Sequence, residues 1–217
     1  TMKNLLPASI VSLGLEYYKP DYSLPDTLAV KSFQLIPNIT ARIEKPVKWG
    51  SLQLSAILPI ISGRSKENDY VIRPGWGVSF STVVNSWASG KWYLQAAGGQ
   101  AISSFFGDLS GQGLDVLYNP ETEKAALPLI WGGYITYEHH WNEKVFSNIA
   151  YGLLNFQKED FTPDETYHRG DSFRLNTFWS IVEGARIGGE YIHAVREDKG
   201  GNRGGANRLN LLFYYDF

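Results

Sequence analysis

The chain contains no cysteine, which excludes disulfides, thiolate metal sites and a cysteine nucleophile. It also lacks any run approaching the ~18 apolar residues that a membrane helix needs, and its mean hydropathy is slightly negative. A helical membrane protein is therefore ruled out. A barrel is not, because barrel strands carry their hydrophobicity in alternation. An excess of one charge is missing too: 20 basic and 22 acidic residues are mixed along the sequence, so nothing electrostatic favours nucleic acid as a partner. The opening "TMKNLLPASIV" has neither the charged start nor the apolar stretch and small-residue cleavage site of a signal peptide, so any export signal is expected to lie outside the chain.

What is present suits strands and turns: aromatic residues at 14%, 22 glycines and a single methionine, an unusual mixture for a helical domain. With 217 residues and 43% hydrophobic content, the expectation is one domain, residues 1–217, wrapped around a core or a cavity. Apolar residues keep to one parity in ten segments, at 10–18, 37–46, 50–60, 74–85, 91–101, 130–141, 145–156, 172–182, 185–196 and 207–217. Each has about the ~9–11 residues that a tilted strand needs to cross a bilayer. "SLQLSAIL" sets Leu52, Leu54, Ala56 and Leu58 against Ser51, Gln53 and Ser55. The connections alternate: long at 19–36, 61–73, 102–129, 157–171 and 197–206, short at 47–49, 86–90, 142–144 and 183–184. A meander with short turns at one end and long loops at the other predicts an all-β, antiparallel transmembrane β-barrel of about ten strands.

Tryptophans give an independent check. Trp49, Trp87, Trp92, Trp141 and Trp179 fall near the short-turn end and Trp76 and Trp131 near the long-loop end, where two interfacial girdles are expected of a membrane barrel. The closing "RLNLLFYYDF" puts Leu209, Leu211, Phe213, Tyr215 and Phe217 on one face, which predicts a final lipid-facing strand ending in an aromatic residue.

Several stretches resemble the DcaP-like trimeric porins of Gram-negative bacteria. They are "ARIGGEYIHAVREDKGGNRGGANRLNLLFYYDF", similar to that family's closing hairpin, and "IPNITARIEKPVKWGSLQLSAIL", in which Asn38 stands where the family has Asp. "PGWGVSFS", "YEHHWNEKVFSNIAYG" and "SLGLEYYKP" follow the family's order and spacing. The resemblance implies an outer-membrane location in a Gram-negative bacterium, a homotrimer, and small anionic solutes such as dicarboxylates. Family members have about sixteen strands and a periplasmic coiled coil, so the chain looks like the C-terminal part of a larger barrel or a small barrel that closes by itself. Small residues such as Ala96 and Gly98 on the lipid-facing parity would let barrels approach closely.

With the apolar parity facing lipid, the inward set includes Arg42, Lys91, Arg174, Arg186, Arg196 and Arg208, with Glu16, Glu44, Glu138, Glu190 and Asp216. Charges lining a pore set ion selectivity, and the planar guanidinium suits carboxylates. Arg174, Arg186, Arg196 and Arg208 are expected either to form a basic ladder that guides anions or to pair with Glu190, Asp216 and other inward acids across strands. The connection 102–129, with "FFGDLSGQGLDVLYN", is too long for a plain loop. Its expected place is inside the barrel as a constriction or against a neighbouring subunit, with a mobile external loop as the alternative.

Enzymatic features are poor. His139 and His140 beside Glu138 point to opposite faces of a strand, and no third ligand has a matching spacing. "GGNRGGAN" lacks the strand-then-helix context of a phosphate loop. No catalytic residue, metal site or cofactor is expected. The functional expectation is a passive outer-membrane channel surrounded by membrane lipids; the alternatives are a structural or adhesive barrel with a filled lumen, a soluble ligand-binding barrel and a barrel enzyme.

Overall fold

The computed structural model describes residues 9–17, 20–21, 31–32, 34–64, 70–86, 89–122 and 124–216. Its first eight strands are β1 (Ile10–Glu16), β2 (Lys31–Ser32), β3 (Asn38–Val47), β4 (Gly50–Leu58), β5 (Ile60–Arg64), β6 (Tyr70–Pro74), β7 (Trp76–Asn85) and β8 (Gly90–Gln100). A 3-10 turn at Ser103–Phe105 precedes β9 (Leu117–Asn119), β10 (Lys124–Ala126), β11 (Leu129–His140), β12 (Val145–Phe156), β13 (Tyr167–Val182), β14 (Ala185–Asp198) and β15 (Arg203–Tyr215). Ten of these make one antiparallel sheet, in the order β1-β3-β4-β7-β8-β11-β12-β13-β14-β15. Each corresponds to one of the strands that the alternation predicts. Trp87 and the terminal Phe217 lie outside the described residues.

The register gives the sheet two chemically different faces, because directly paired residues in neighbouring strands point the same way. Leu54 opposes Ile43 on one side and Phe80 on the other, while the next residue, Ser55, opposes Arg42 and Ser79. The first face is greasy along its whole breadth: Ile39, Leu58, Val78, Ile135, Ile149, Leu175 and Trp179 are all exposed. On β15 the exposure of Leu209 and Leu211 rises to 82% and 83%. An apolar patch of this extent is not sustained in water by a monomeric soluble protein. The opposite face is concave and holds both the buried core and a cavity.

Alternating connections place the tight turns at 48–49, 141–144 and 183–184 at one end. The long-loop end is more ordered than its composition suggests. β5 and β6 pair as a hairpin with β2 alongside β5, and β9 pairs with β10. Asn38, buried at the start of β3, accepts hydrogen bonds on Oδ1 from the backbone N–H of Ile60 at 2.9 Å and from Gln34 Nε2 at 3.1 Å. That contact fixes the corner at which the chain leaves β4. The expected long loop at 197–206 is instead mostly strand. Asp198 Oδ1 accepts the N–H of Asn202 at 2.9 Å, Gly201 takes a positive φ of 86°, and Arg203 pairs with Glu197 at 2.7 Å, so the hairpin closes in a tight turn.

The segment after β8 returns into the concavity. Ile102, Leu109 and Leu114 pack with Ile130, Leu154, Phe156 and Tyr167, all buried, at the long-loop end of the concave face. The fully buried Asp115 holds this fold: Oδ1 accepts the N–H and hydroxyl of Ser103 at 2.7 and 2.8 Å, and Oδ2 accepts the Ser104 hydroxyl at 3.2 Å and the Asp21 N–H at 2.8 Å. Replacing Asp115 by Ala would strand these donors, at a cost of about 2–4 kcal/mol to the local fold. Limited proteolysis should then cut D115A within 102–129 at least ~30-fold faster than the parent, while the heat-modifiable migration of the folded sheet is retained.

Candidate solute pathway

Close packing of the returning segment depends on small side chains beneath it. A Cβ at Gly77 would lie 2.8 Å from Ile57 Cγ2 and 3.0 Å from Ile102 Cγ2, and one at Gly132 would lie 2.9 Å from Leu154 Cδ1. Glycine at 77 therefore makes room for Ile102 of the loop on the inner wall, and glycine at 132 makes room for the neighbouring strand β12 on which the loop packs.

Between loop and wall is a cavity of about 980 Å³, half open, lined from β1 round to β13. Arg42 on β3 and Arg174 on β13 reach it, with Glu16, Asp108, Ser79 and Gln95. Neither arginine has an ion-pair or hydrogen-bond partner among the described residues, and both are exposed. Thr40 Oγ1 donates to Glu16 Oε1 at 3.4 Å. The cavity thus carries two uncommitted guanidinium groups, a loop carboxylate and a collar of hydroxyls and amides.

The other sequence-derived residues share the concave face but are differently employed. Arg174 and Arg208 flank Ile192 in one cross-strand row, with Arg196 nearer the long-loop end and Arg186 nearer the short turns. Arg186 pairs with Asp216 at 3.2 Å and lies over the Tyr214 ring at 5.4 Å. Arg196 donates to the Glu165 carbonyl at 3.1 Å and covers the Tyr167 ring at 5.4 Å. Arg208 Nε donates to Asn210 Oδ1 at 2.7 Å, and Glu190 accepts from Asn210 Nδ2 at 2.9 Å. Lys91 stands opposite Glu138 in register. The four-arginine ladder is thus one of position only, and Arg174 alone in it reaches the cavity with a free fork.

His139 and His140 separate as their strand parity requires. His139 joins Trp92, Tyr137 and Trp141 on the apolar face, edge-on to Trp141 at 4.5 Å, whereas His140 turns inward to Glu138 at 3.0 Å. No group of three metal-ligating side chains occurs among the described residues. Beyond the strands, in the connection from β12 to β13, burial raises the Glu159 carboxyl above the usual carboxylate range, with Asp160 adding to the effect. Sequence reading overlooked Asp108 and Tyr134 in the cavity. Asp108 lies in a loop without periodicity, and Tyr134 is an aromatic on the otherwise wet parity, which is the signal that would have found it.

The sheet is thus greasy on one face and polar on the other, with its longest loop folded into the concave side. Comparison with solved structures gives the same fold. The crystal structure of the outer membrane channel DcaP of Acinetobacter baumannii superposes with a TM-score of 0.79 over 98% of this chain, at 16% identity. The chain spans 60% of that protein's length. No protein-family profile and no curated sequence matches it.

The packing of the loop on glycine leads to a direct test. Gly77→Val should push the loop off the wall at a cost of about 1–3 kcal/mol. Hydrogen exchange should then accelerate for amides within 102–118 and stay unchanged in β13 and β14.

Proposed function

We propose that the chain forms the wall of an outer-membrane diffusion channel for small anionic solutes, dicarboxylates among them. The observation that carries this reading is the pair of guanidinium groups, Arg42 and Arg174, without partners among the described residues and facing one cavity on the concave side of a sheet whose other side is apolar. In a confined, poorly screened space such groups favour anions and repel cations. A guanidinium fork at each side suits a solute with a carboxylate at each end. Residues 1–217 act as a single barrel domain in this reading, and segment 102–129 is its constriction. Lipid surrounds the apolar face in the outer membrane of a Gram-negative cell, and three copies associate as a homotrimer. The protein moves solutes without transforming them.

A second reading, a structural barrel with a filled lumen, draws on the Arg186–Asp216 and Glu190–Asn210 contacts and on the buried loop core. Single-channel recording in a planar bilayer separates the two. Discrete conductance steps with anion preference and interruption by succinate are expected. Arg42→Glu and Arg174→Glu should each lower the anion-to-cation permeability ratio at least about twofold, and Arg186→Glu should lower it less. Silence from folded, heat-modifiable protein would transfer the conclusion to the filled barrel.

A further inference from the structure

The concave face carries a second, distinct arrangement between the cavity and the short-turn end. Pairing places Glu138, Asn148, Asn176, Glu190 and Asn210 in one continuous row across five strands, β11 to β15. It lies one inward-facing step below the row containing Arg174. One further step down, rings replace amides. His140 stacks on Phe146 at 5.3 Å, Phe146 on Phe178 at 5.1 Å, and Phe178 meets Tyr214 edge-on at 5.7 Å. Phe178 lies over Gly188, where any Cβ would collide with its ring, and it forms the buried floor of the file. Phe146 is half-buried, and His140 and Tyr214 are exposed.

Bulky aromatics on the wet face of a barrel strand go against the alternation that builds the wall, and the row above them narrows the choice of ligand. Asn148 Nδ2 donates to Asn176 Oδ1 at 2.8 Å. That leaves Asn148 Oδ1 and Asn176 Nδ2 without side-chain partners among the described residues. Spare amide groups beside carboxylates match the paired donor and acceptor character of neighbouring hydroxyls. The aromatic faces match the C–H face of a pyranose ring. Glu138 and Glu190 in the row, and Asp216 against Arg186 at the end of the file, disfavour an anionic aromatic solute at this level.

We propose that this aromatic file and the amide–carboxylate row above it form a binding track for neutral sugars on the short-turn side of the lumen. The inference rests on the concave face being a lumen and is independent of the anion site. The test is isothermal titration calorimetry of the folded chain in lauryldimethylamine oxide micelles, with maltotriose as the probe; the measurement needs no conducting channel. Saturable binding in the millimolar range is expected, weakened roughly tenfold by Tyr214→Ala and by Asn148→Ala and retained by Tyr214→Phe. The asparagine variant leaves the stacked rings in place and keeps the test valid if ring removal disturbs folding. Absence of saturable heat up to about 100 mM maltotriose, or saturable binding of benzoate with none of maltotriose, would overturn the proposal. Channel silence alone would bear only on the anion reading.

Discussion

Everything in this structure depends on the register of the sheet. Because strand side chains alternate with a period of two, a one-residue slip between any two neighbours would carry an entire strand's apolar set into the lumen and its polar set into lipid. The pairing of Arg42 with Ser55 and of Ile43 with Leu54 is repeated in kind from β1 to β15. Backbone pairing adds a second demand, since N–H and C=O groups at membrane depth need partners within the protein. Among the described residues the outer edges of β1 and β15 have no partner strand.

The inner surface has three tiers with separate physical roles. Nearest the long loops is a dry core in which Ile102, Leu109 and Leu114 close over Ile130 and Phe156, held by the Asp115 carboxylate. Below it the cavity presents the Arg42 and Arg174 guanidinium groups with the Glu16 and Asp108 carboxylates. Near the short turns amides, carboxylates and rings interlock across strands. In the middle tier Arg42 and Arg174 have no ion-pair or hydrogen-bond partner among the described residues, in contrast to Arg196 nearer the long loops and Arg186 nearer the short turns.

Strand number, parity and the end at which the turns are tight were all legible in the sequence, because each follows from residue spacing that the sheet cannot violate. Leu52, Leu54 and Leu58 could face only one way once Gln53 and Ser55 faced the other. Which arginines stay free was not legible. Arg174 and Arg208 share a row and a chemistry, yet Asn210, two residues along the same strand, captures Arg208, while no described residue captures Arg174, a distinction set by side-chain conformation rather than by spacing. The loop was legible only as an excess of length with apolar pieces. Its anchor, Asp115, reads as one more loop acid until Ser103 and Asp21 are brought against it. The hairpin at 199–202 was misjudged because a glycine-rich, charged segment has loop composition, whereas Asp198 and Gly201 give it a tight turn.

The lengths of the last strands shape the entrance. β13, β14 and β15 run for 16, 14 and 13 residues, against the ~9–11 that a tilted strand spends in lipid. The surplus of roughly 3 to 6 residues, at ~3.3 Å each, adds about 10–20 Å of strand on this side of the wall. Its outward side chains there, Arg169 with Asp171 and Glu197 with Arg203, are suited to water rather than to acyl chains. On the other side β4 and β7, with 9 and 10 residues, are carried on past Pro59 and Gly75 in unbroken register by the β5–β6 hairpin. The rim is therefore raised at two places, by the long strands β13–β15 and by the β5–β6 hairpin that prolongs β4 and β7.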